Sequence, residues 1–246
     1  MGDPKEITAL QATTILISTI IGVGVLPLPL FAVRAGETSA PFVTFTGIVL
    51  AAIGLMILTY LGVRHPQKTI ITYSQDIIGK WLGKIFSIVV IFFFLILTSL
   101  TAREFGAVVV TAVLRETPLE VTVIVMLLLA AISCRNNINV FAYIHNLYVP
   151  MILAPVLIVV AFSLKNANLL YLRPIFLGNE IRDMTGGILT VSALFQGSFV
   201  ITMIIPAMKS PNKAMKASFW GILISGGLYL LIVIATVAIF GPEEIK

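Results

Sequence analysis

Apolar residues run along this chain in long blocks separated by short polar stretches. The blocks lie at about Thr8–Val33, Pro41–Val63, Ile85–Leu114, Leu119–Cys134, Val140–Leu164, Ile188–Met208 and Met215–Phe240. They do not alternate apolar and polar at every second position, as barrel strands would, so they read as helices. All but the fourth reach the roughly 20 residues that cross a hydrocarbon core. Seven transmembrane helices are therefore predicted. One polar connection has its own pattern: across Thr69–Lys84, Ile70, Tyr73, Ile77, Ile78 and Trp81 recur at helical spacing, and Asp76, Lys80 and Lys84 lie among them. That spacing predicts a helix lying in the headgroup plane, an anchor or packing element before it is a binding surface.

Composition supports this reading. Of 246 residues, 59% are hydrophobic and 11% charged, against roughly 25% charged in a soluble domain. Mean hydropathy is +1.07. A soluble enzyme or a nucleic-acid binder is excluded on these grounds. The net charge of +5 fits cytoplasmic loops better than a nucleic-acid partner. With the N-terminus inside, nine Lys and Arg fall on the cytoplasmic side and six outside. The inner set includes Lys5, Lys68, Lys80, Lys84 and the Lys209–Lys216 loop. Arg173, Arg182 and Lys246 belong to the outer set. The first apolar block is too long for a secretory signal and reads as a retained span. A single cysteine, Cys134, excludes an internal disulfide.

Two spans carry breaks. The first reads Ile20-Ile-Gly-Val-Gly-Val-Leu-Pro-Leu-Pro29. Gly22 and Gly24 are poor helix formers, and Pro27 and Pro29 have no N–H to donate. Backbone groups freed at membrane depth need protein or a water-filled cavity to satisfy them. A proline kink or a close-packed glycine seam is the plainer alternative. In the sixth span Gln196, Gly197 and Ser198 interrupt an apolar run that ends at Pro206. Five spans separate the starts of the two broken helices, so these cross in opposite directions. Paired interruptions of this kind point to an inverted-repeat transporter with a central site. There, N–H groups at a half-helix start suit a carboxylate, and freed carbonyls suit an ammonium group or Na⁺. The candidate ligand-binding residues are Gly22, Val23, Gly24 and Val25 with Phe195, Gln196, Gly197 and Ser198.

Arg103 and Glu104 sit inside the third span, where charge is costly unless paired or wet. Either they lie at an interface or pair with another helix, or they serve a gate, a proton relay or a charged ligand. Glu104 joins the candidate ligand contacts. Catalytic signatures are missing. Neither His65 nor His145 begins an H-E-x-x-H, and both read as loop or interface residues. Ser198 lacks the G-x-S-x-G spacing. The last span has no lysine for a retinal, and there is no nucleotide-binding loop. No enzyme, cofactor, metal site or catalytic residue is expected.

The order of motifs resembles the spore germination permeases, the B-type membrane subunits of germinant receptors, within the amino acid–polyamine–organocation transporter superfamily. The residues that carry it are Ile21-Gly-Val-Gly-Val-Leu26 with Pro27 and Pro29, Arg103-Glu-Phe105, Thr117-Pro118, Arg135 and Pro150, Leu172-Arg-Pro174, Gly197 through Pro206, and Lys209 with Pro211. Asn137, Asn139 and Tyr143 stand where relatives often carry Gly, Glu and Arg, and Ser198 where an acidic residue is common. Roles of those family charges are not carried over; the backbone-built features Gly22, Gly24 and Gly197 are.

The resemblance implies an all-α, LeuT-like bundle that binds a small germinant, often an amino acid. It also implies A-type and C-type subunits as partners, in the bacterial cell membrane or spore inner membrane. An ordinary amino-acid permease is the alternative, and a non-transporting scaffold a third class. The chain is expected to form one transmembrane domain over 1–246, with a five-helix repeat at 8–164 and two helices of a second at 188–240. Two full repeats need roughly 314 residues. A truncated or split member, lacking three spans, is therefore expected.

Overall fold

A computed structural model of the protein describes residues 7–172 and 181–245. Its α-helices are α1 Ala9–Ile20, α2 Leu28–Gly36, α3 Ala40–Arg64, α4 Ile70–Ile78, α5 Lys80–Ala112, α6 Leu119–Ser133, α7 Ile138–Ser163, α8 Ile181–Ala193, α9 Ile201–Ile204 and α10 Ala214–Ile245. Among the described residues there is no strand, only one isolated parallel bridge between Ile7 and Met208. Five helical stretches are long and apolar enough to cross a membrane, and α1 and α6 are shorter apolar helices. The all-α membrane bundle expected from the sequence is what the chain forms. Lys5, Arg173, Pro174 and Lys246 lie outside the described residues.

The chain divides into two compact units. One holds the stretch up to Pro66 and that from Ala142 onward; the other is Gln67–Phe141. In the first, α10 packs on α1, α2 and α3, and α3 also packs on α8. Lipid removes the hydrophobic drive for such packing, so close approach and interhelical hydrogen bonds must hold it. Both are present. A Cβ on Gly47 would stand 2.8 Å from Val191, and one on Gly226 would stand 2.7 Å from Ile48. Thr59 Oγ1 and Ser218 Oγ, both buried, lie 2.8 Å apart. The start of α1 is fixed by a capping box: Gln11 N donates to Thr8 Oγ1 at 3.3 Å and Thr8 N to Gln11 Oε1 at 2.9 Å. Gly241, with φ +73, ends the regular part of α10, at the boundary predicted after Phe240.

The second unit corrects one expectation. The amphipathic helix does not run from Thr69 to Lys84; it stops at Ile78. Gly79 adopts φ +86, which a residue with a side chain rarely takes, and the chain turns there into α5. Trp81 and Lys84 thus belong to α5, whose start precedes the predicted Ile85. The turn lays α4 back along α5. Gly83 permits this, since a Cβ there would come within 2.5 Å of Gln75 Cα, and Ser87 Oγ donates to Ile71 O at 3.3 Å. Lys68 and Asp76 pair at 2.6 Å. Farther along α5 the side chains of Phe92 and Ile96 are more than half exposed, as lipid-facing positions are in a bilayer span.

Candidate functional site

The break in the first span begins where α1 runs out of partners for its last carbonyls. Ile21 leaves helical geometry at φ −79, ψ 58. Gly22 N turns back to Ile20 O at 2.8 Å, and a 3₁₀ turn follows over Val23–Val25. Pro27 and Pro29 then start α2, where a missing N–H costs nothing. The predicted interruption is therefore a real change of backbone path.

The sixth span is interrupted more heavily. After α8 the chain passes through a 3₁₀ stretch over Gln196–Val200, the single turn of α9, and another 3₁₀ turn over Ile205–Ala207. Ser198 N donates to Phe195 O at 2.9 Å. Phe195 and Ser198 are buried; Gln196 is exposed, as is Gly22.

These two breaks touch. Gly197 lies against the end of α1 so closely that a Cβ there would stand 2.4 Å from Thr19 O and 3.0 Å from Thr19 C. Gly24 faces the other side of the same junction, with Leu194 Cδ2 3.4 Å from the position its Cβ would take. The two segments picked from the sequence are thus neighbours in space. Glu104 lies with Arg103 on α5, in the second unit, and both side chains are exposed. Among the described residues neither forms an ion pair.

Three features at this junction escaped the sequence reading. Tyr229 of α10 is fully buried, and its hydroxyl donates to Ile20 O at 2.6 Å. It supplies a donor to one carbonyl that the broken α1 leaves over. Its ring lies 5.1 Å from that of Phe195, tilted by 60°, so one side chain touches both breaks. The other two features join α1 to α7: Thr14 Oγ1 donates to Asn146 Oδ1 at 2.6 Å, and Ser18 Oγ meets His145 Nδ1 at 2.5 Å. His145 is therefore a helix residue bonded to the first span, not a loop residue. His65, at the end of α3, fits the loop reading. The signal for the polar contact was present in Gln11, Thr14 and Ser18, which share one face of α1 by spacing. For Tyr229 only its hydroxyl among aliphatic neighbours could have served.

A cleft of about 520 Å³ opens beside the first break. Val25 and Pro29 line one wall, Val156 and Val160 of α7 another, and Ile232 and Thr236 of α10 the third. Its polar side chains are few, Ser163 and Thr236. Such a wall suits an aliphatic group, while exposed Gly22 offers backbone for polar contact. Among the described residues no three His, Cys, Asp or Glu side chains cluster as metal ligands would.

The family model for spore germination proteins matches residues 6–246. The chain belongs to the spore germination permease family. Similar proteins of Bacillus subtilis (strain 168) agree. Spore germination protein YndE is 29% identical over 98% of this chain and 66% of its own length. Spore germination protein B2 is 27% identical over 98% and 65%, and spore germination protein A2 is 24% identical over 99% and 67%. This chain thus spans about two thirds of the length of the curated relatives it matches. It is an integral membrane protein of this family, as the motif order suggested.

Proposed function

We propose that this spore germination permease is the membrane subunit of a germinant receptor. It binds a small zwitterionic germinant, an amino acid by preference, where its two broken helices meet. The supporting observation is that contact: Gly197 on the Thr19 carbonyl, Gly24 beside Leu194, and Tyr229 bonded to Ile20 O with its ring against Phe195. An ammonium group would take carbonyls at the end of α1, where the helix dipole is negative. A carboxylate would take the start of α2, where the dipole is positive. Prolines 27 and 29 leave Leu28 and Leu30 as first-turn donors. The side chain would enter the apolar cleft beside Val25. Chemistry at this site is binding, with no bond made or broken. The bound state would be passed to A-type and C-type subunits in the spore inner membrane, with the N-terminus of the chain on the cytoplasmic side.

The test is germinant profiling of spores with the gene deleted, restored, or restored as Gly24→Leu. Deletion should abolish the response to one germinant class, and the wild-type gene should restore it. Gly24→Leu, at normal membrane level, should move the dose-response to higher germinant concentration. A normal dose-response for that variant would sink the site. Concentrative uptake of a labelled amino acid by vesicles holding only this protein would replace the receptor with a permease.

A further inference from the structure

A second groove, of about 500 Å³, lies between α1 and the start of α10. Its lining residues lie outside both breaks and take no part in the site proposed above. Lys213, Lys216, Ala217, Trp220 and Ile224 line it from one side, and Leu10 and Thr13 from the other. Lys213 ends the 3₁₀ turn that leads into α10, and on α10 Lys216, Trp220 and Ile224 follow at spacings of four, one stripe along the helix. The order from Lys213 onward is two ammonium groups, then an indole, then an aliphatic side chain. From Lys216 to Ile224 the helix rises about 12 Å.

Among the described residues the charges in this groove are unbalanced. Among the described residues neither lysine has a carboxylate within ion-pair distance. The first turn of α10 has no acidic residue, although this is the positive end of the helix dipole, where lysine is disfavoured. An anion between the lysines would relieve both effects. Beyond them on α10 the wall is apolar and open: Trp220 is 46% exposed and Ile224 36%. Thr13 Oγ1 donates to Ala9 O at 2.9 Å within α1 and lies 3.5 Å from Ala217 O, where the two helices meet at the floor of the groove.

We infer that this groove binds an anionic glycerophospholipid, with the phosphate between Lys213 and Lys216 and an acyl chain along Trp220 and Ile224. The sequence of polarities matches that ligand: phosphate at the headgroup level, ester region at an interfacial tryptophan, hydrocarbon below. A free anion would use the lysines and leave the apolar stripe without purpose. A zwitterionic lipid would bring its own cation next to them.

Trp220 is a built-in reporter, because the chain has two tryptophans and Trp81→Phe leaves it alone. The protein carrying Trp81→Phe is reconstituted in phosphatidylcholine nanodiscs containing brominated phosphatidylglycerol or brominated phosphatidylcholine at equal mole fraction. Quenching of Trp220 should report a relative affinity roughly thirtyfold in favour of the anionic lipid, from two lysines at the headgroup level. Lys213→Gln with Lys216→Gln should remove that preference and keep the thermal unfolding midpoint. Equal quenching by both lipids overturns the proposal, as does a preference that survives the double substitution. Inorganic phosphate, at ionic strength matched with chloride, should not displace the lipid; displacement assigns the lysines to a free anion and also overturns it.

Discussion

The contact between the two breaks makes a prediction about Gly197. Replacing it with alanine adds one methyl, pointed at the Thr19 carbonyl from 2.4 Å. Ordinary carbon–oxygen contact is about 1 Å longer. The obstructing atom is backbone, held by α1, and cannot rotate away as a side chain could. The 3₁₀ segment and the end of α1 must therefore separate, which also strains the Tyr229 bond to Ile20. Overpacking of this kind costs about 1–3 kcal/mol, and the rigid neighbour places Gly197→Ala at the upper end. For a chain of this size that lowers the unfolding midpoint by about 6–12 °C. Two controls isolate the cause. Gly24→Ala meets only Leu194 at 3.4 Å, an ordinary contact, and should stay within about 0.5 kcal/mol of wild type. Gly54→Ala on α3 meets nothing within 4 Å and should gain up to about 1 kcal/mol of helix propensity. The assay is thermal unfolding of the purified protein in one detergent, followed by size exclusion. A Gly197→Ala midpoint equal to wild type, or a Gly24→Ala loss as large, would refute the close approach.

Other substitutions test neighbouring contacts. Tyr229→Phe keeps the ring against Phe195 and removes the donor to Ile20 O; it should cost about 1–2 kcal/mol, read as a lower midpoint in the same assay. Ser18→Ala should cost about 1 kcal/mol through its loss to His145, and a double-mutant cycle with His145→Ala should show the two effects are not additive. Burial pushes the Tyr73 phenol above its usual value of 10.0. The folded state therefore holds that proton where the unfolded chain has released it, so its contribution is intact below about pH 10 and declines as the pH rises beyond. Protease resistance of the 67–141 unit should weaken across that range, and Tyr73→Phe should remove the dependence.

What could be read from the sequence follows from which interactions are local. Helices α3, α6 and α7 begin and end within two residues of their apolar blocks, because length and hydropathy decide a membrane span. Both breaks were visible for the same reason: glycine and proline act on their own backbone. The positive φ at Gly79 was a local property too, but the amphipathic spacing ran on past it into α5, and periodicity alone carried the expected helix too far. Tyr229, Asn146 and His145 were not legible, since nothing in a run such as Gly227-Leu-Tyr-Leu230 says which distant carbonyl the hydroxyl meets. Gly197 sits between the two cases. Its presence in the break was plain, and its reason for being glycine, the backbone of Thr19, depends on a partner 178 positions earlier.

That partnership bears on how a ligand could use the proposed site. A broken helix leaves carbonyls over, and the simplest picture hands all of them to the ligand. Here Ile20 O already accepts from Gly22 N and from Tyr229 Oη, and Gly197 covers Thr19 O. A ligand ammonium must then share the carbonyl of exposed Gly22, which accepts from Val25 N at 3.3 Å, or compete with the tyrosine. The two routes leave different marks. Competition links ligand binding to movement of α10 and to loss of the contact with Phe195, a displacement that a partner subunit could sense. Use of the Gly22 carbonyl leaves α10 in place and requires the signal to start elsewhere. Tyr229→Phe separates them, because it removes the competitor without opening the packing. Under the competition route the variant binds the germinant more tightly; under the other route its affinity is that of the wild type.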